Sequence, residues 1–275
     1  MTVIDTARPV FKGFNTLINE LTSRIVIPVK RKALNYRQIL WDNFGWKPHY
    51  HQDIALSHIF TDNIKVIIIR AGKRGGKSAL GVAVGETIHK SIPGARGWIM
   101  SSTYELADKI FDPLWNVLIS GACGEVQSKD RKVRQIKLEN NGLCQAKSWK
   151  DPDSIEGESL DYCILDEAQT ITEEIFGRAY ARTLERGGVL MFIGSPMAND
   201  EYYLSLCEEA KINPDWAYIE WTVEENPYVN KEEIAKAKEN AKEMAKDLGV
   251  KLGKLMYFNE SGNYPGVYYG MEGMG

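Results

Sequence analysis

A chain of 275 residues, 44% hydrophobic and 26% charged, carries enough apolar material for one large domain or two small ones, which excludes a wholly disordered protein. Its net charge of −3 excludes a histone-like or cationic-tail mode of nucleic-acid binding, while leaving room for a local basic groove. The four cysteines, Cys123, Cys144, Cys163 and Cys207, include no CxxC spacing and are expected as buried free thiols rather than zinc ligands or a disulfide framework. Met1 to Gly13 carries Asp5, Arg8 and Pro9 where a secretory signal needs an apolar run, and the longest apolar runs, such as Val189 to Ile193, are too short to span a bilayer. A cytosolic protein is expected.

Residues 1–45 read as a mixed helical segment, with a basic cluster at Lys30, Arg31, Lys32 and Arg37 expected as a solvated helix face. Ile64 to Arg70 is a short β-branched run bounded by glycine, so a buried strand is predicted there. A helix follows from Lys77 to His89, with Ala79, Gly81, Ala83 and Gly85 small enough for close packing on a sheet. Ser91 to Gly97 reads as a turn, and a second strand begins at Trp98. Thr103 to Leu118 is an amphipathic helix with Thr103 as its cap and Glu105 in its first turn. Val133 to Leu138 and Leu143 to Trp149 flank Asn140-Asn141-Gly142, a hairpin signal. Tyr162 to Leu165 is a short buried strand ending at Asp166, a helix runs from about Thr172 to Arg186 and stops at Gly187-Gly188, and Val189 to Ile193 is again a strand. Lys231 to Leu248 is a charged, Ala-rich helix, and the Gly- and Tyr-rich end reads as a linker or tail. Strands and helices in alternation predict an α/β fold with a largely parallel sheet covered on both faces.

Ala71-Gly-Lys-Arg-Gly-Gly76-Lys77-Ser78 has the form of a phosphate loop, with Ala71 where the first glycine is usual. Gly72, Gly75 and Gly76 let backbone N–H groups curl around phosphate oxygens at the head of the following helix. Lys77 is placed to reach the β- and γ-phosphates of ATP, and the Ser78 hydroxyl to ligate Mg²⁺. Asp166, at the end of an apolar strand, is placed to hold the same metal, and Glu167 to orient or deprotonate the attacking water, which favours hydrolysis over binding alone. Gln52, in Trp46-Lys-Pro-His-Tyr-His-Gln52, could read the adenine edge by paired hydrogen bonds. Ser195, after the strand ending at Ile193, could sense the γ-phosphate. Arg70, Lys73 and Arg74 crowd the loop, and at least one is expected to neutralise charge on the γ-phosphoryl group. His49, His51, His58 and His89 lack metal-ligand spacing and are expected as satisfied surface or core histidines.

In this order the motifs resemble the large terminase subunit of tailed bacteriophages. Trp46 to Gln52 matches the adenine motif, Ala71 to Ser78 the phosphate loop and Ile164 to Ala168 the acidic motif. Arg182 to Gly188 follows, then Ile193-Gly-Ser-Pro196 and Asp200 to Leu204 as the coupling motif, with Asn226-Pro227-Tyr228 where the family often has it. The resemblance implies an ASCE-type, RecA-like P-loop NTPase core with a small helical lid, using ATP and Mg²⁺ to move double-stranded DNA. It further implies a homopentameric ring on a portal protein, with a small-subunit partner, in the cytoplasm of an infected host. The loop arginine of many relatives is Lys73 here, with Arg74 beside it. The family's arginine before the acidic motif falls near Glu156, so Arg131, Arg134, Arg178 and Arg182 are candidates to act in trans. The expected organisation is a lid segment over 1–45, an ATPase core over 46–225, a second lid segment over 226–250 and a tail over 251–275. The family's RNase H-like nuclease would begin near where this chain stops, so no nuclease activity is expected. Two alternatives fit the same motifs: a helicase-like ATPase, which needs a second RecA-like domain, and an ATP-switched binding module without turnover.

Overall fold

A computed structural model describes residues 36–44, 46–62, 64–120, 126–130, 133–151, 155–196 and 201–251. Lys30, Arg31, Lys32, Cys123, Arg131, Ser154, Asp200 and the segment from residue 252 onward lie outside the described residues. Those described form seven α-helices and one eight-stranded sheet.

The sheet is built from β1 (Val66–Ala71), β2 (Arg96–Ser101), β3 (Val126–Asp130), β4 (Gln135–Leu138), β5 (Leu143–Ser148), β6 (Tyr162–Asp166), β7 (Val189–Gly194) and β8 (Trp216–Trp221). Their order across the sheet is β3-β4-β5-β2-β6-β7-β1-β8. From β5 to β8 every neighbouring pair is parallel, whereas β3 and β4 pair antiparallel at one edge. The three middle strands β6, β7 and β1 are near-continuous apolar runs because both of their faces are covered. Successive side chains divide strictly between two cores. Ile67, Ile69, Ile164, Met191 and Ile193 enter one; Val66, Ile68, Leu165, Leu190 and Phe192 enter the other.

The first core is closed by α1 (Tyr36–Phe44), α2 (Tyr50–Phe60), α3 (Lys77–Ser91) and α4 (Tyr104–Ser120), which contribute residues such as Leu40, Leu56, Val84 and Leu114. The second is closed by α5 (Glu173–Leu184) and α6 (Glu201–Ile212), through Phe176, Tyr180, Tyr203 and Leu206. The last helix, α7 (Lys231–Leu248), is mostly exposed and buries Ile234 and Ala245. Among the described residues no helix is long and apolar enough to cross a membrane.

Most predicted elements lie within a few residues of those observed. Thr103 caps α4 by accepting from the Leu106 N–H, and Thr172 caps α5 by accepting from Ile175. The Asn140-Asn141-Gly142 turn closes β4 onto β5, with Asn141 at φ 65°. The first strand starts at Val66 rather than Ile64, because the Ile64 N–H is still used by His58 O at the end of α2. Cys144, Cys163 and Cys207 are buried free thiols. Arg37 is exposed yet paired with Asp53 at 2.7 Å. The sequence reading lacked α2, α6, β3 and β8.

Parallel pairing brings the carboxyl ends of β1, β7 and β6 to one edge: Arg70 lies opposite Gly194, and Ile193 opposite Asp166. In open α/β sheets this edge is where ligands bind. Elsewhere the sheet is packed without slack. A Cβ on Gly97 would stand 1.9 Å from Cζ of the fully buried Tyr162, whose hydroxyl donates to Cys144 Sγ at 3.2 Å. Gly97→Ala is therefore expected to destabilise the fold by about 1–3 kcal/mol, which urea unfolding measures.

Candidate active site

The connection from β1 to α3 turns within five residues, and it does so in left-handed backbone. Arg74 has φ 62° and Gly76, the residue before α3, has φ 84°. Glycine at 75 and 76 is required by close approach as well: a Cβ on Gly75 would lie 2.9 Å from Gly72 O, and one on Gly76 2.6 Å from Gln52 Nε2. Gly76 supplies no side-chain cap to α3, so the first N–H groups of the helix keep no partner within it and face the space ahead.

Three successive carbonyls of the turn are anchored on the outer side. Asn226 Nδ2 donates to Arg74 O at 2.7 Å, Trp221 Nε1 to Gly75 O at 2.7 Å, and Gln52 Nε2 to Gly76 O at 2.8 Å. His49 Nε2 stands 3.2 Å from the Gly75 oxygen, and its ring meets the Trp221 ring edge-on. On the inner side Lys77 folds back on the loop, donating from Nζ to Ala71 O at 2.7 Å and Gly72 O at 2.8 Å.

Between this loop and the ends of β6 and β7 lies a cavity of about 520 Å³. Lys73, Arg74, Gly75, Gly76, Lys77, Ser78 and Ala79 line one side, and Asp166, Glu167, Ser195 and Lys109 of α4 line the other. Asp166 is buried, and burial first, then the Glu167 charge, push its carboxyl up to about 6; Lys77 and Lys109 act in the opposite direction. Burial brings the Lys77 ammonium down to about 8, against the pull of Glu167 and Asp166. Glu167 takes a left-handed conformation (φ 56°, ψ 41°), and Gln169 Nε2 donates to its Oε2 at 2.7 Å.

The structure thus gathers Lys73, Arg74, Gly75, Gly76, Lys77, Ser78, Asp166, Glu167 and Ser195 around one space. Two predicted residues stand behind its wall. Gly72 accepts from Lys77 and from the Gly75 N–H. Gln52 is 2% exposed, with Nε2 on Gly76 O and Oε1 accepting from the His49 N–H at 3.0 Å. It holds the loop, and an adenine edge would have to displace one of those bonds. Of the three basic residues expected near the loop, Lys73 and Arg74 line the cavity and Arg70 instead forms a 2.8 Å ion pair with Glu220 on β8. His49 is likewise more than a satisfied core histidine, because α2 starts beside the loop and delivers its ring to Gly75. Lys109, Trp221 and Asn226 were not singled out as site residues. Asn226 had a signal in the Asn-Pro-Tyr motif; Lys109 and Trp221 had none.

No protein-family model matches the chain. It is 30% identical over 192 residues to the large terminase subunit of Thermus virus P23-45, a match covering 62% of this chain and 38% of that protein. The chain therefore spans less than half the length of the curated relative it matches. In three dimensions it resembles the large terminase ATPase domain of Thermus phage P74-26, with a TM-score of 0.58 at 22% identity, covering 75% of this chain and 90% of that domain. The fold is that of a large terminase ATPase domain. It is also similar to the large terminase of a second thermophilic bacteriophage, whose complexes with ADP and ATP-γ-S match at TM-scores of 0.56 and 0.55, 18% identity, 71% of this chain and 50% and 49% of that one.

Within this large terminase fold the candidate arginines are engaged outside the cavity. Arg134 Nε is 3.0 Å from both oxygens of Asp108, and its guanidinium lies over the Tyr104 ring. Arg178 pairs with Glu174 on its own helix, and Arg182 reaches Gly157 O at 3.5 Å. None of the three lines this chain's own cavity.

The buried acid sets a stability test. With its carboxyl raised to about 6, the folded chain holds the Asp166 proton more tightly than the unfolded chain, whose value is about 3.9. The ionised side chain therefore costs stability above pH 6, and the cost fades as pH falls through this window. In buffer free of divalent cations, Asp166→Asn should raise the unfolding free energy at pH 7 by about 1–3 kcal/mol and lose most of that advantage at pH 4, as urea titrations at both pH values will show.

Proposed function

We propose that the chain hydrolyses ATP in this cavity and powers the movement of double-stranded DNA into a procapsid, as the motor domain of a large terminase. One observation carries the reading: a loop with three successive carbonyls tied outward, at the head of α3, shares a single cavity with the paired carboxylates Asp166 and Glu167. The names of the relatives, and the ADP and ATP-γ-S held by one of the similar terminases, support it.

In this reading the triphosphate lies along the loop, accepting from the free N–H groups at the start of α3. Lys77 leaves Ala71 O and Gly72 O and gives its Nζ hydrogens to phosphate oxygens. Lys73 and Arg74, at the cavity mouth, add charge near the γ-phosphoryl group. Glu167 accepts a hydrogen bond from the attacking water and aims it along the line of displacement. Ser195, at the end of the strand between those of the loop and the acids, meets the γ-phosphate. The donor set suits Mg²⁺: the Ser78 hydroxyl and the Asp166 carboxylate are hard oxygens, and among the described residues no cluster of three or more His, Cys, Asp or Glu forms an all-protein cage. Mg²⁺ typically takes one or two protein oxygens and completes its shell with phosphate and water. Bound with ATP, it neutralises charge on the β- and γ-oxygens. The partners in this reading are a portal protein, a small terminase subunit and further copies of this chain in a pentameric ring, in the host cytoplasm, with no membrane involved; the isolated chain is a monomer.

Lys77→Ala should abolish phosphate release, and Glu167→Gln should lower kcat by about 10²–10⁴-fold while ATP still binds. Wild-type turnover by Glu167→Gln would remove the water-orienting role. A specific rate that climbs steeply with protein concentration would show that a neighbouring copy completes the site. Gln52→Leu separates loop support from base reading. It is expected to weaken ATP and inorganic tripolyphosphate equally, by about tenfold in calorimetric titrations; a loss confined to ATP would assign Gln52 to the adenine.

A further inference from the structure

Gln169 sits two residues beyond Glu167, in the 3₁₀ turn Ala168–Thr170, and is 9% exposed. It does not line the cavity, yet its carboxamide touches two groups that do. Nε2 donates to Glu167 Oε2 at 2.7 Å, and Oε1 accepts from the Ser195 N–H at 3.2 Å. Only one orientation of the amide satisfies both neighbours: turned over, it would set oxygen against carboxylate and NH₂ against N–H. The bridge therefore has a polarity, and shape alone does not reproduce it. The turn beneath it is fixed, since the Glu167 carbonyl accepts from both the Thr170 N–H and its hydroxyl at 3.4 and 3.3 Å. Fixed backbone leaves the Glu167 side chain as the part that Gln169 restrains.

We propose that Gln169 is a positioning residue that ties the aim of the Glu167 carboxylate to the state of the loop at Ser195. This rests on the hydrolytic reading of the cavity. A phosphate that engages Ser195 shifts the N–H on which Oε1 depends, the amide follows, and Nε2 carries the carboxylate with it. Glu167 is then oriented for water only when the far end of the triphosphate is in place. Without the bridge the carboxylate turns freely about its own side-chain torsions, and binding is uncoupled from attack.

Two measurements on the whole chain test this. In steady-state kinetics Gln169→Leu, which keeps the bulk and removes both bonds, should lose about 10²-fold in kcat with the KM for ATP within about threefold and the melting temperature within a few degrees (roughly the shift of a surface substitution). Gln169→Asn, one methylene too short to span both partners, should not rescue kcat. Amide hydrogen exchange by NMR, with no nucleotide present, reads the link without turnover. Gln169→Leu should cut protection of the Ser195 amide about fivefold to tenfold and leave Phe192 and Ile193 unchanged. Glu167→Ala should also lower protection at Ser195, but not when Gln169 is already leucine. A wild-type kcat in Gln169→Leu, or a Ser195 amide indifferent to either substitution, overturns the proposal. A wild-type chain that fails to hydrolyse ATP overturns the hydrolytic reading instead, and the exchange cycle still decides whether the bridge exists.

Discussion

A trans peptide plane carries its C=O and the next residue's N–H in opposite directions. Holding the carbonyls of residues 75 and 76 outward therefore turns the N–H groups of residues 76 and 77 toward the cavity, while the Gly75 N–H closes the turn on Gly72 O. The site depends on this constraint more than on any single side chain within it. Its anchors arrive from three places: Gln52 and His49 from the start of α2, Trp221 from the end of β8, and Asn226 from the segment leading to α7. Unanchored, the same carbonyls would present partial negative charge to an anion, and a loop of three glycines would have many other conformations to sample.

The residues inside the cavity are held in tension with their own solvation. Lys77 is buried enough to lose much of its basicity and Asp166 enough to gain it, while each favours the charged form of the other. The Lys77 ammonium satisfies two loop carbonyls, so a phosphate oxygen that takes its hydrogens exchanges places with ready-made acceptors rather than with bulk water. Glu167 sits in left-handed backbone, which costs a non-glycine residue about 1–2 kcal/mol. The 3₁₀ turn that follows it and the Gln169 bridge hold it there. Strain of this kind concentrates where geometry matters for chemistry.

Local signals carried most of the scaffold and the inner half of the site. The runs Val66 to Ile69, Tyr162 to Leu165 and Val189 to Ile193 are uniformly apolar because they lie in the middle of a parallel sheet, and the phosphate loop announces itself through glycine spacing. The outer half was not legible, because its contacts are long in sequence: Trp221 is 146 residues from Gly75, and Asn226 is 152 from Arg74. β8 has no local signal of its own although it alternates, with Ala217, Ile219 and Trp221 in the first core, Trp216 and Tyr218 half-buried against the second and Glu220 exposed. Its polar residues and the preceding Asn-Pro-Asp made an edge strand resemble a loop. His49 and Gln52 were visible as parts of a motif, but whether an imidazole or an amide faces a base or a backbone carbonyl is set by the approach of α2, which no local pattern encodes.

The two ends of the cavity are restrained to different degrees, and the difference matches what each end must do. At the phosphate loop three successive carbonyls have their own donors, and Gly75 O has two, so loss of one anchor leaves others in place. That is the restraint a site needs to bind the same triphosphate in the same way every time. At the water end Glu167 and Ser195 are joined through a single carboxamide with nothing duplicating it among the described hydrogen bonds. A single link makes one group responsive to the other, whereas redundant links would fix both. In the proposed hydrolytic motor this division has a use, because a rigid grip on nucleotide combined with a conditional grip on the attacking water would keep ATP from being spent before the site is filled.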